Sequence, residues 1–205
     1  IGYYRSMLKK EARLITGGLS APSKMPGPAY NLPASQCITG AKLVKIPGSV
    51  CAGCYALKGR YRFGNVQAAL ERRLEAIHHP QWVEAMTVLI YGQRFFRWHD
   101  SGDLQSLDHL YNIFKVCRAT KGTSHWLPTR EAQIMKRVRI SQVPRNLIIR
   151  VSSHMVDQAP VTYWPWTSTV VTDGGHSCPA SSQGNQCKDC RQCWNRSVKS
   201  IAYPK

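Results

Sequence analysis

The chain has 205 residues, and its 43% hydrophobic and 19% charged side chains fit one globular domain and exclude a disordered protein. A net charge of +17, from 28 Lys and Arg against 11 Asp and Glu, favours a polyanionic partner such as nucleic acid. No apolar run reaches the roughly eighteen residues that a membrane span needs, and no signal peptide is recognisable. We therefore expect a cytoplasmic protein with reduced cysteines and no membrane partner.

The first part of the chain predicts three helices and one long loop. Residues 4–17 have the pattern of a short amphipathic helix, and residues 18–36 are rich in Pro, Gly and Ser, as in an extended loop. A short apolar segment follows at 41–46. A second helix is expected from Asn65 because apolar residues recur every three or four positions, and a third covers residues 81–91.

The second part of the chain alternates between strand and helix patterns. Strands are expected at residues 94–99, 124–127, 146–151 and 168–172, with helices at 106–120 and 131–139. This alternation is typical of a parallel sheet with crossover helices, and the strands are too few for a closed eight-stranded barrel. The predicted fold is α/β, a partial or open (β/α) barrel with a mostly parallel sheet and a cysteine-rich C-terminal metal-binding tail.

We expect residues 1–205 to form a single domain. It would consist of an N-terminal helix and loop (1–36), an α/β core (37–175) and the cysteine-rich tail (176–205).

Several polar residues follow the predicted strands, and ligands of such sheets collect at the carboxyl ends of the strands. The candidates for catalysis or substrate positioning are Asp100, Asp103, Arg130 and Ser152, with His154 beside them. A carboxylate there can hold an amine or hydroxyl, and an arginine can hold an anion. The simpler alternatives are a helix cap for an aspartate and a solvated ion pair for the arginine.

The tail carries the strongest motif, with four cysteines at positions 178, 187, 190 and 193. The last three are separated by two residues each, a spacing that suits zinc or an iron–sulfur cluster. The metal ligands expected here are Cys178, Cys187, Cys190 and Cys193. A disulfide knot is the alternative in an oxidising compartment.

A second group of cysteines, Cys37, Cys51 and Cys54, lies nearer the N-terminus. Three thiolates can hold three irons of a [4Fe–4S] cluster and leave the fourth iron open. Cysteines of both groups around one metal centre are a further arrangement that the spacing allows. Cys117 lies on the apolar face of a predicted helix and is expected in the core.

These motifs resemble a phage-encoded family, the gene product eighty-eight-like proteins. The segments that carry the resemblance include residues 23–28 (SKMPGP), 51–56 (CAGCYA), 97–103 (RWHDSGD) and 187–194 (CKDCRQCW). It extends over residues 20–205 and implies a protein of the cytoplasm of a phage-infected cell.

More remotely, the layout is similar to the radical S-adenosylmethionine (SAM) superfamily. That resemblance implies a [4Fe–4S] cluster on the N-terminal cysteine triad, with SAM at the open iron. Tyr55 would then take the place of the aromatic residue that follows the last cysteine. Ser101, Gly102 and Asp103 would stand where the superfamily contacts the amino group of SAM.

Two functions follow as hypotheses. The first is a phage-encoded [4Fe–4S] protein, a radical-SAM-like enzyme acting on a small molecule at the open cluster iron. The alternative is a zinc-stabilised basic protein that binds nucleic acid without catalysis, supported by Lys188, Arg191 and Arg196 among the tail cysteines. In a third reading, the metal only stabilises the fold.

Overall fold

A computed structural model describes residues 7–205 as an α/β fold built on one six-stranded sheet. The strands are β1 (Ala29–Tyr30), β2 (Phe95–Trp98), β3 (Ser124–Thr129), β4 (Leu147–Ser152), β5 (Thr167–Val171) and β6 (Ser200–Pro204). All neighbours pair in parallel, in chain order. Among the described residues no pairing joins β1 to β6, so the sheet is open. The parallel α/β prediction is thereby confirmed.

The four predicted strands are present with slightly shifted ends, and two further strands were not predicted. β1 lies in the segment expected to be a loop, and its two residues are too few to show a periodic pattern. β6 lies within the segment expected to be a cysteine-rich tail. The N-terminal and C-terminal segments therefore contribute the two edge strands of the sheet.

Six α-helices accompany the strands in the described part of the chain. They are α1 (Lys9–Thr16), α2 (Gly40–Leu43), α3 (Gly64–Ala76), α4 (Trp82–Ile90), α5 (Leu107–Ala119) and α6 (Ala132–Met135). Residues 4–6 of the first predicted helix lie outside the described residues. The first half of the segment at 41–46 falls within α2, and α6 is shorter than the predicted 131–139. None of the helices in residues 7–205 has both the length and the apolar character to cross a bilayer.

One face of the sheet packs against α4 and α5. Phe96 and Trp98 of β2 are fully buried there, and the rings of Trp98 and Trp82 lie 6.0 Å apart. Leu110 and Phe114 of α5 belong to the same core. Cys117 of α5 is fully buried, as predicted.

The other face of the sheet is covered by the segment between β5 and β6. Trp194 of this segment packs edge-on against Trp126 of β3, with the ring centroids 5.2 Å apart. Its indole nitrogen donates a hydrogen bond to the Phe96 carbonyl over 3.1 Å. Because both faces are covered, all six residues of β4 are buried.

Candidate metal centre at the carboxyl edge of the sheet

The first cysteine group lies in a cap over the carboxyl edge of the sheet, which we define as residues 34–62. The cap contains α2 and four short 3₁₀ helices (Ala34–Gln36, Val50–Gly53, Tyr55–Leu57 and Gly59–Arg62). Two backbone hydrogen bonds fix it to the loop after β4. Val50 donates to the His154 carbonyl over 2.9 Å, and Val156 donates to the Gly48 carbonyl over 2.9 Å.

A buried glutamate fixes the part of the cap that carries Cys37. Glu131 follows β3 and is 2% exposed. Its carboxylate accepts hydrogen bonds from the Thr39 backbone nitrogen over 2.9 Å and from the Thr39 hydroxyl over 2.6 Å. The cap is therefore tied to the ends of both β3 and β4.

The sulfurs of Cys37 and Cys51 converge beside Gly40. A Cβ atom at Gly40 would lie 3.6 Å from Sγ of Cys37, 3.7 Å from Sγ of Cys51 and 2.9 Å from Cβ of Cys37. Glycine avoids this close approach, since any other residue would place a Cβ atom too near Cys37 and in contact with both sulfurs. Cys54 is an electrostatic neighbour of both thiols. Thiolate donors are the ligand type that zinc and iron–sulfur clusters take.

Burial raises the pKa of the Cys37 thiol, and nearby Asp103 and Glu131 raise it further. Burial also raises the pKa of Cys51, while Arg130 acts in the opposite direction. A bound metal cation would supply the positive charge that thiolates in this setting require.

Asp103 joins the loops that follow β2 and β3. Its carboxylate accepts hydrogen bonds from the Thr129 hydroxyl over 2.6 Å and from the backbone nitrogens of Arg130 and Leu104 over 2.8 and 2.7 Å. Burial still raises the pKa of Asp103 to about 6. These contacts give the residue a structural role, and its role in catalysis or cofactor binding stays a prediction.

Ser101 and Gly102, two predicted cofactor contacts, pack against the chain after β1. The Ser101 hydroxyl donates to the Leu32 carbonyl over 2.9 Å. Gly102 has φ +77°, and a Cβ there would lie 2.6 Å from Cβ of Leu32. Only glycine satisfies both conditions. The close approach at Gly102 is thus to the protein's own backbone.

Asp100 is surrounded by three side chains. Its Oδ1 atom forms an ion pair with Arg97 at 2.8 Å, and Oδ2 accepts a hydrogen bond from the Tyr61 hydroxyl over 2.8 Å. The Tyr55 hydroxyl donates to the Asp100 carbonyl. The Arg97 guanidinium lies over Trp126, 4.4 Å from the ring centroid. Asp100 and Tyr55 therefore connect the cap to β2.

Arg130 differs from the other predicted site residues in having a buried donor without a partner. Its Nε atom makes no hydrogen bond to the rest of the described chain, and its charge lies near Cys51. The backbone carbonyl of Arg130 is 3.0 Å from Nε2 of His154. Ser152 is buried, and its hydroxyl pairs with that of Ser168 at 2.7 Å.

The second cysteine group lies between β5 and β6. Cys178 is fixed by a backbone hydrogen bond to Ala202 of β6 over 3.0 Å, and Cys187 by one to Lys24 over 2.9 Å. The Cys178 thiol is an electrostatic neighbour of both Cys187 and Cys193. Cys190 is a neighbour of Cys187. The tail cysteines thus form a second group, centred on Cys178.

Cys193 lies against the sheet. Its Sγ atom is 3.3 Å from the Tyr203 hydroxyl of β6, and burial raises the pKa of the thiol to about 11. Arg97 is an electrostatic neighbour of Cys193 and Tyr203 on one side and of Tyr55 and Asp100 on the other. The guanidinium of Arg97 is therefore near the second cysteine group and near the residues that connect the cap to β2.

All eight cysteines are free thiols. As they are placed, no three Cys, His, Asp or Glu side chains within residues 7–205 stand close enough to hold a single metal ion.

Sequence reasoning missed three charged residues that position the two groups, namely Arg97, Glu131 and Arg150. Arg150 is fully buried although it lies within the apolar pattern of β4. A charged residue inside such a strand is unusual, and this feature of the sequence could have identified Arg150. The role of Glu131 depends on a contact with Thr39, far away in sequence, and left no local signal.

Comparison with known sequences identifies one family. The profile of the family described as Gene product 88 matches residues 5–196. No curated protein and no solved structure matches the chain, so the similarity to radical SAM enzymes has no support beyond the motifs. The profile match spans both cysteine groups and all strands except β6. The chain therefore belongs to the phage Gene product 88 family.

Proposed function

We propose that this protein is an iron–sulfur protein that holds a [4Fe–4S] cluster on Cys37, Cys51 and Cys54. The observation that carries this proposal is the convergence of the Cys37 and Cys51 sulfurs on the space that Gly40 keeps open. Three thiolates ligate three irons, and the fourth iron is left for an exchangeable ligand. This centre would lie at the carboxyl edge of the open parallel sheet, which together with the cap we interpret as a partial barrel.

One cation beside the triad, Arg130, supports an anionic group on a ligand at the open iron. Arg130 lies near Cys51 and keeps a buried Nε donor free. A carboxylate is a natural partner for such a donor. SAM has a carboxylate and an amino group, so it is the cofactor that we propose, in a radical-SAM-like enzyme.

Within this proposal, the neighbouring residues hold and orient the ligand. Arg130 binds its carboxylate, while Asp103 and Asp100 keep the loops after β2 and β3 in place through their hydrogen bonds. Ser152 lies at the end of β4, where a substrate would meet the edge of the sheet.

We further propose that Cys178, Cys187, Cys190 and Cys193 bind a second metal centre. Four thiolates complete either a cluster or a tetrahedral zinc site. A zinc-stabilised basic protein without catalysis is the second candidate function. The complete four-cysteine set, with Lys188 and Arg191 beside it, favours that candidate.

Metal analysis of protein purified without oxygen tests these proposals. The matched variants replace by serine either Cys37, Cys51 and Cys54 or Cys187, Cys190 and Cys193, with Cys117→Ser as the control. We expect absorption near ~400 nm and about four irons per cluster, lost with the first variant and unaffected by the control. A colourless parent protein that contains zinc and no iron would overturn the proposal of an iron–sulfur cluster.

Ligand binding at the open iron is tested by electron paramagnetic resonance of the reduced protein. Adding SAM should change the spectrum of the parent and leave that of Arg130→Gln much less affected. An identical response of both proteins would contradict the role of Arg130. No response of a fully loaded parent would exclude SAM as the ligand.

A further inference from the structure

The cap lies in a long stretch of the chain without negative charge. No Asp or Glu occurs between Glu11 and Glu71, although this stretch holds seven Lys and Arg residues. Five of these cations belong to the cap, namely Lys42, Lys45, Lys58, Arg60 and Arg62. All five side chains are exposed. None has a carboxylate or hydrogen-bond partner in residues 7–205, so their charge is available to an external anion.

The same region exposes aromatic and aliphatic side chains. Of the ten exposed large hydrophobic residues in the described chain, half lie between residues 38 and 63. Tyr55 is 57% exposed and Phe63 is 60% exposed. The Tyr55 ring is fixed edge-on against Tyr61 at 5.9 Å, and its hydroxyl is bonded to Asp100. A fixed and exposed ring loses little entropy when a flat group stacks on it.

Cations and aromatic rings alternate along residues 55–63, which we call the strip. Its members are Tyr55, Lys58, Arg60, Tyr61, Arg62 and Phe63. This combination matches the way proteins hold single strands, with cations on the phosphates and rings under the bases. The elements of the cap are three or four residues long, too short to act as a recognition helix in a duplex groove.

We propose that the strip binds single-stranded nucleic acid. Lys58, Arg60 and Arg62 contact successive phosphates, and Tyr55 and Phe63 stack on unpaired bases. The ligand then passes over the carboxyl edge of the sheet, beside Cys54 and Asp100. This inference does not depend on which metal the cysteines hold.

Fluorescence anisotropy with a labelled mixed-sequence oligonucleotide, as DNA and as RNA, tests the proposal on the metal-loaded protein. The variant Lys58→Gln, Arg60→Gln, Arg62→Gln removes three charges from the strip. The matched control Lys121→Gln, Arg145→Gln, Lys199→Gln removes three exposed charges just before β3, β4 and β6, at the opposite edge of the sheet.

We expect the strip variant to bind the single strand at least about tenfold more weakly, and the control to stay within about twofold of the parent. The slope of log affinity against log salt should fall by about 2, as expected for three lost contacts to a single strand. Phe63→Ala, which removes an exposed ring, should weaken binding by at least about fivefold.

Three results would overturn the proposal: equal losses in both charge variants, equal or tighter binding of the matching duplex, or no binding to a single strand at about 50 mM salt. Anionic vesicles provide the comparison with a membrane surface. Metal content is measured for every variant. A metal-loaded parent protein that does not bind single strands would refute the proposed role of the strip without contradicting the metal proposal.

Discussion

The guanidinium group of Arg150 holds the backbone around Cys193. Its Nε atom donates to the Cys193 carbonyl over 3.2 Å, and its Nη atoms donate to the carbonyls of Gln192, Asn195 and Val198 over 2.9 to 3.1 Å. The cysteine-rich segment has little secondary structure of its own. Its position on the sheet is therefore set by one buried side chain of β4 together with Trp194.

Replacing Arg150 should release this segment. In Arg150→Met the volume is kept but four carbonyl groups lose their donor, and unmet buried groups cost about 1–3 kcal/mol each. We expect the free energy of unfolding to fall by at least about 3 kcal/mol, and metal at the second cysteine group to be lost first. Urea unfolding and metal analysis measure both effects. Arg145→Met, at an exposed site, should change neither.

Gly40→Ala tests the space between Cys37 and Cys51. Alanine favours helix over glycine by about 1 kcal/mol, so propensity alone would stabilise α2. We nevertheless expect loss of the cluster at the triad, because the new Cβ would lie 2.9 Å from Cβ of Cys37 and in contact with both sulfurs. Gly53→Ala is the control, since a Cβ there meets nothing within 4 Å. Iron and sulfide content equal to that of the parent in Gly40→Ala would argue against a cluster at this position.

Thr39→Val tests the attachment of the cap to β3. The substitution keeps the shape of the side chain and removes the hydroxyl that donates to Glu131. We expect a loss of about 1–2 kcal/mol in stability and faster removal of triad iron by a chelator. Thr172→Val removes a similar bond to Asp157 in an exposed setting and should cost much less. Equal costs would mean that burial adds nothing to the Thr39–Glu131 contact.

Stability should fall as the pH drops below about 6.5. Burial lowers the pKa of His109 and His125 to about 3 and that of His99 well below its ordinary value of 6.5. In this range the unfolded chain takes up protons that the folded chain excludes, so each histidine costs about 1.4 kcal/mol per pH unit as the solution becomes more acidic. Asp103 opposes this trend between about pH 4 and 6, because its pKa is raised in the folded chain.

Urea unfolding between pH 7.5 and 5 measures this dependence. His109→Gln should reduce the slope by the share of one histidine. His78→Gln, at an exposed site, should change it much less, because His78 adds only a smaller effect to the burial that lowers the pKa of His109. A slope that is the same in both variants would show that His109 titrates normally in the folded protein.

The parallel α/β architecture was predictable because strand and helix patterns alternate along the second part of the chain. β4, from Leu147 to Ser152, is the most apolar of these strand patterns, although it contains Arg150. Hydrophobic periodicity also located α3, α4 and α5. Ser106, the first residue of the predicted helix at 106–120, caps α5 by accepting a hydrogen bond from the His109 nitrogen. β1 escaped prediction because it is short.

The candidate site was predictable as a list of residues but not as an arrangement. Cysteine spacing identified both groups, yet it could not show that Gly40 keeps the space beside Cys37 and Cys51 open. Such contacts depend on how distant segments meet. The same holds for Arg97. The sequence shows it only as a cation in an aromatic strand, whereas its neighbours in the fold include Cys193, Tyr55 and Asp100.

The position of β6 after the cysteine-rich segment links metal supply to the completion of the fold. The chain crosses from Val171 to Ser200 with two short 3₁₀ helices as its only regular structure on the way. Closing a loop of this length is entropically unfavourable, and ligation of its cysteines would divide it into shorter loops. We therefore expect β6 of the metal-starved protein to fray from the sheet and to be open to proteases. The lifetime of the polypeptide, as well as its chemistry, would then follow the metal content of the cell.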